Sequence, residues 1–249
     1  AFIERSSSLK NRTFAFLIGL GILIALVLTD SRNAWGGLIL AIPFVLGTTT
    51  WFWLLPLLAL FFAPIFLSVV SFVDLELQQL ARKIVPDSVW TRLSDIRFMD
   101  TRPLESTRLS QWKVALNLIL EKPWLGWGAA AFSVLYPMRK GLWHGHAHNL
   151  PLDLAVSHGF LVPFLIVGFV LSLLIISYQR GVLTEERKQN KIVRESVFDR
   201  AWWTSTFILA CLHGADMPFF DSRLNIAGWV LLAGLRSLIM SLKSKQKVL

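Results

Sequence analysis

The stretch from Trp51 to Ser71 reads WFWLLPLLALFFAPIFLSVVS, 21 residues without one charged or histidine side chain. As a helix rising 1.5 Å per residue it reaches about 31 Å, the thickness of a bilayer's hydrocarbon core. Working outward, five more apolar stretches lie near residues 13–29, 33–49, 150–178, 201–217 and 224–241, so six spans are predicted. The second is barely long enough and is weakened by Gly36, Gly37 and Pro43, which leaves a re-entrant segment open. The fourth is overlong and is expected to stand partly above the bilayer or to bend at Pro163.

Composition agrees with this reading. Charged residues make up 16% of the 249 positions, against about 25% in soluble domains. Apolar types reach 54%, and mean hydropathy is +0.56. The expected fold class is an all-α integral membrane protein, one membrane domain over residues 1–249. Cys211 is the sole cysteine and lies in an apolar stretch, so no disulfide forms within the chain.

The formal charge of +9 raises nucleic acid as a partner, but the positions of the charges explain it otherwise. Arg5, Lys10 and Arg12 precede the first span, Arg180 to Arg200 hold six cations after the fourth, and Lys243, Lys245 and Lys247 follow the last. All three groups fall on one side of a six-span topology, the cytoplasmic side by the positive-inside rule. Both termini and residues 179–200 are therefore expected in the cytoplasm, and the long loop, about 72–149, outside. The cations then set topology and meet anionic lipid, so membrane lipids are the expected partner and no nucleic acid is needed. Trp51, Trp53, Trp202 and Trp203 fall at the cytoplasmic boundary, where indoles anchor.

A loop of that length inside a membrane protein is usually functional. His144, His146 and His148 alternate, so in an extended segment they share a face and suggest a site for Zn, Cu or Ni. With no carboxylate or cysteine at ligand spacing, no metal is assigned. A single imidazole acting as acid, base or donor asks less of the sequence. His148 is the best candidate, because Asn149 follows it as a predicted helix N-cap with Pro151 and Asp153 in the first turn. A helix N-terminus there attracts phosphate; equally, Asn149 merely caps and Asp153 satisfies the dipole.

Arg32 sits in a polar turn between two spans, where a lone arginine snorkels, pairs with Asp30, or meets a phosphate from the outer side. Arg108 opens an amphipathic segment and reads by default as a solvated loop residue. Two arginines, a histidine and a helix N-terminus on one side of a membrane together suit a diphosphate and a proton transfer beside it. Trp124, Trp127, Tyr136 and Trp143 suit stacking on sugar faces or anchoring at the interface. Gly126 and Gly128 predict a tight turn.

At these residues the chain resembles the O-antigen ligase and polymerase superfamily of bacterial membrane glycosyltransferases, which have a GT-C-like helical fold. Ser31-Arg32 resembles the family's Ser-Arg element, and Arg108, four residues before Trp112, its loop arginine. The run from Pro123 to Phe132 is similar to its Pro-x-x-Gly-x-Gly-x-x-x-Phe element. His148-Asn149, nine residues and then Gly159 match its His-Asn element, although Val162 stands where a small or polar residue is usual. The resemblance covers residues 31–171, and since family members usually carry more spans, the chain is expected to be a C-terminal half.

The resemblance implies glycosyl transfer at the outer face of the bacterial inner membrane, from a polyprenyl-diphosphate-linked glycan to a lipid or sugar acceptor, without metal or other cofactor. It implies catalytic roles for His148, Arg32 and Arg108, with Asn149, Trp124, Trp127 and Trp143 binding substrate. Ser31 to Gly37 and His146 to Asp153 also look like a cyanobacterial branch labelled a bicarbonate transporter, which makes small-anion transport the rival reading. Transport is the less favoured, because spans one to three hold no ionisable group at mid-membrane.

Overall fold

Gly159 breaks what the sequence presents as a single apolar run. The computed structural model describes residues 9–29, 31–47, 50–70, 73–87, 90, 107–180, 182–183, 187–188, 191–192 and 195–248. Over them the chain forms α1 (Leu9–Leu28), α2 (Arg32–Leu46), α3 (Trp51–Val69), α4 (Leu75–Ile84), α5 (Arg108–Glu121) and α6 (Ala131–Lys140). These are followed by α7 (Leu150–His158), α8 (Leu161–Gln179), α9 (Glu195–Ala215), a 3-10 turn (Pro218–Phe220) and α10 (Ser222–Val248). A two-residue antiparallel pair joins Arg187–Lys188 to Lys191–Ile192, and all other regular structure described is helical.

Of the six predicted spans, four are long and apolar enough to cross a bilayer: Leu9–Leu28, Trp51–Val69, Leu161–Gln179 and Ser222–Ser241. The second, α2, ends at Leu46 and has 15 residues, a length of about 22 Å. The fifth, α9, starts before the predicted boundary and takes in Asp199 and Arg200. The fourth is two helices rather than one bent at Pro163. Gly159 takes φ +78° and closes α7 by donating to the Ala155 carbonyl, and α8 starts afresh after Phe160. Pro163 then lies in the first turn of α8, where no intrahelical donor is lost.

The chain divides into two compact units, residues 49–110 and the remainder. In the smaller one, α3 packs against α4, and side chains of α4 satisfy the open end of α3. Gln78 Nε2 donates to the Val70 carbonyl at 2.9 Å, and Arg82 Nε to that of Ser68 at 3.0 Å. Asp74 caps α4 by accepting the Glu76 N–H.

The larger unit contains two separate cores. One joins α8, α9 and α10 around Leu173, Leu174, Trp203, Leu235 and Ile239, with Phe44 of α2 packed against it. Trp202 and Trp203 are taken up here as packing residues: Trp203 is buried and donates to the Leu174 carbonyl, and Trp202 donates to that of Leu231. The second core lies mostly in the predicted outer loop, where Val114, Ala115, Leu118, Phe132, Tyr136 and Ala147 close over one another and over Val156 of α7. Residues 111–149 of that loop thus form, with α7, a small packed body, which an apolar cluster of this kind stabilises against water.

Candidate active site

The Pro123–Gly128 turn and the α7–α8 junction hold each other in place. Trp127 N–H donates to the Val156 carbonyl at 2.8 Å, Gly128 N–H to that of Ser157 at 3.0 Å, and Phe160 N–H to that of Pro123 at 2.8 Å. Gly126 takes φ +66°, and a Cβ there would come within 2.6 Å of the His158 nitrogen. A Cβ on Gly159 would run into the Trp124 carbonyl. The glycines of the two family-like elements therefore meet because only backbone fits between them.

This clamp orients α7, and the N-terminus of α7 carries the candidate residues. Asn149 is the N-cap as expected: its Oδ1 accepts the Leu152 N–H at 3.0 Å. Its Nδ2 donates to the Gly214 carbonyl at 2.8 Å, tying α7 to the end of α9. Asp153 does not face solvent at the helix dipole. It is buried and accepts the Ala147 N–H at 3.1 Å, and burial pushes its carboxyl above the usual range while that bond pulls it back. The Trp112 indole donates to the Ala147 carbonyl at 3.0 Å, so both backbone polar groups of Ala147 are held by side chains of α5 and α7.

With Ala147 and Asn149 pinned, His148 takes the left-handed conformation, φ +49°, which is rare for a residue with a Cβ. Its Nδ1 lies 3.1 Å from Asp216 Oδ1, just beyond the end of α9. That carboxylate is itself oriented by the Met217 N–H at 2.9 Å. An Nδ1–H donated to Asp216 leaves the lone pair on Nε2, the arrangement of an oriented general base. The His148 and Asp216 side chains are 32% and 44% exposed, so the pair is open to solvent.

The three alternating histidines do not share a ligand face. His144 Nδ1 lies 3.4 Å from Gln111 Nε2, and the ring meets the edge of Tyr136. His146 Nδ1 accepts the His148 backbone N–H at 3.2 Å, and its ring stacks on Phe220. Burial and the neighbouring His148 lower the proton affinity of His146, with Asp216 opposing. Among the described residues, no group of three or more His, Cys, Asp or Glu is arranged to hold a metal ion.

Arg32 is the first residue of α2, after Ser31, whose Oγ accepts the Ala34 N–H at 3.4 Å. The Arg32 side chain lies outside the described set, but its backbone position follows from helix packing. Gly37 faces Ile208 and Phe44 faces Trp203 and Phe207, so α2 and α9 run antiparallel. The start of α2 therefore lies at the end of α9 that leads to Asp216. Arg108 is exposed at the start of α5, in the smaller unit, behind Thr107, whose hydroxyl accepts the Ser110 N–H at 3.3 Å.

Of the tryptophans, Trp127 is part of the small core: its indole donates to the Leu118 carbonyl and Lys122 Nζ sits 4.0 Å from its ring centre. Trp124 and Trp143 are 70% and 73% exposed, the former with its ring on Phe160. Two residues central to the site were not picked out from the sequence, Asp216 as partner of His148 and the Gly214 carbonyl as anchor for Asn149. The available signal for the first was a carboxylate at the end of the apolar stretch 201–217.

The O-antigen ligase family profile matches residues 14–167. The chain is also similar to a ComP-specific O-oligosaccharyltransferase of Acinetobacter baylyi, 28% identical over 184 residues, which are 71% of this chain and 30% of that protein. The chain thus spans under a third of this relative's length. No solved structure matches it. The helical fold with several membrane-crossing segments, the His-Asn element at the start of α7 and the glycine clamp all lie within or beside the matched region, and the chain belongs to the O-antigen ligase family.

Proposed function

We propose that the protein transfers a glycan from a polyprenyl-diphosphate carrier to a hydroxyl of a lipid or sugar acceptor, at the outer face of the bacterial inner membrane with both termini cytoplasmic. The observation that carries this reading is the contact between His148 Nδ1 and Asp216, which leaves Nε2 as a proton acceptor in a partly open site. The acceptor hydroxyl attacks the anomeric carbon, the bond from that carbon to the diphosphate oxygen breaks, and the diphosphate leaves with the bonding pair. The hydroxyl proton passes to His148 Nε2. Charge builds on the departing diphosphate, and Arg32 and Arg108 are the guanidinium groups proposed to stabilise it, the task a divalent cation performs in other transferases. Asn149 holds the base in position, and Trp124, Trp127 and Trp143 are offered to sugar rings.

The similarity to an oligosaccharyltransferase supports the reading from a separate direction. The test uses the full-length gene product in its own host. A deletion strain is complemented with wild type, His148→Ala, Arg32→Ala or Arg108→Ala, and surface glycolipids are compared by gel with protein level checked by immunoblot. Wild type restores glycan-bearing lipid and each variant fails. Unchanged glycolipid in every strain, with bicarbonate uptake following the gene, overturns the proposal in favour of anion transport.

A further inference from the structure

We propose that His146 is a positioning residue for this reaction: its Nδ1 accepts the backbone N–H of His148 and so holds the left-handed turn that aims the catalytic imidazole. The inference rests on the reading of His148 as the proton acceptor. A non-glycine residue in the left-handed region persists only where its surroundings over-determine it. At His148, φ +49°, the following residue is fixed by the cap and the bond to Gly214, and the preceding residue, Ala147, by Asp153 at its N–H and Trp112 at its carbonyl. The His148 N–H itself goes to His146 at 3.2 Å.

An N–H donor requires a lone pair on His146 Nδ1, so the ring proton sits on Nε2 and the imidazole is neutral. Protonated His146 would set one N–H against another and place a cation beside His148. The groups facing His146 are His148, Asp216 and His144, and its burial already favours the neutral form. The ring is held by Phe220, with centroids 5.5 Å apart and planes at 29°, and it meets the His148 ring at 4.3 Å. Phe220 lies in the 3-10 turn that directly follows Asp216 and Met217. One short segment therefore orients both histidines, His148 through a carboxylate and His146 through an aromatic face.

Three substitutions separate the acceptor from the ring. His146→Asn offers an amide oxygen close to the position of Nδ1, His146→Gln moves it one bond farther out, and His146→Phe keeps a ring on Phe220 with no acceptor. Membranes carrying the full-length gene product are given lipid-linked glycan extracted from the deletion strain, and kcat and KM are measured for each. On the same membranes, modification of His148 by diethyl pyrocarbonate is followed by peptide mass spectrometry, a readout that needs no transfer. We expect His146→Asn to keep most of wild-type kcat, and His146→Phe and His146→Gln to lose about 100-fold with KM little changed, the effect of a base displaced by about 1 Å. The His148 modification rate should follow the same order. Wild-type kcat in His146→Phe, or a loss in His146→Asn as large as in His146→Phe, overturns the proposal. If wild type transfers no glycan, the functional reading fails, and the positioning role is still decided by the modification rates: equal rates at His148 in all four proteins overturn it.

Discussion

His148 and Asp216, 68 residues apart in sequence, meet at 3.1 Å between the start of α7 and the end of α9. This pairing gives the imidazole a defined tautomer, and it ties the outer loop to the last two helices. Asp216→Asn keeps size and shape but offers an amide that can donate to Nδ1 and reverse the tautomer. The expected outcome is a loss of glycan transfer of about 100-fold or more at normal protein level, read from glycolipid in the complemented strain.

The glycine clamp predicts a graded series. Gly159→Ala and Gly126→Ala combine left-handed backbone with a direct collision, and each should cost about 3 kcal/mol or more. Gly128→Ala has φ +104° but open space around it and should cost about 1–2 kcal/mol. Thermal unfolding of the detergent-solubilised full-length protein checks the order; Gly128→Ala as damaging as Gly159→Ala would refute the collision argument.

Asn149 does two jobs that substitutions can separate. Asn149→Asp retains an oxygen for the Leu152 N–H but loses the donor to the Gly214 carbonyl and sets a carboxylate against it. Asn149→Ala loses both, with about 1 kcal/mol assigned to the cap alone. We expect transfer to fall in both variants, and protease protection of α7 to fall only in Asn149→Ala.

Asp153 should leave a pH signature on stability. Burial raises its carboxyl affinity for protons in the folded state, so its contribution is full at low pH and is lost as pH rises through the folded pKa. Asp153→Asn removes this dependence while keeping an acceptor for the Ala147 N–H. The melting temperature of Asp153→Asn relative to wild type should therefore drop as the pH is lowered from neutral into the carboxylate range. A constant difference would show that the carboxyl is unshifted.

Chelation gives a further check on the chemistry. If fixed guanidinium charge stabilises the diphosphate, EDTA should leave the rate of transfer by washed membranes unchanged, whereas Arg32→Ala should abolish it. Loss of activity in EDTA with recovery on adding Mg²⁺ would assign that role to a cation.

What could be read from the sequence was local. The cap at Asn149 is legible because its partner Leu152 is three residues away, and the turn at Gly126 and Gly128 because positive φ favours glycine whatever surrounds it. The spans at α1, α3, α8 and α10 are legible because crossing a bilayer requires length and apolarity, both one-dimensional properties. The small outer core was not, since its helices are amphipathic only toward one another.

The sequence by itself therefore determined that the chain is a helical membrane protein of this family, with a histidine presented at a capped helix N-terminus. Tertiary structure alone decided where the fourth apolar run divides, since that depends on the Pro123 and Trp124 carbonyls meeting Phe160 and Gly159. It also decided which carboxylate serves His148. Asp153 lies closest in sequence but is turned inward onto Ala147, and Asp216 reaches the imidazole only because the Asn149 to Gly214 bond brings the end of α9 to the start of α7. Hydrogen-bond partners so far apart in the chain are set by helix packing, and no local pattern encodes them.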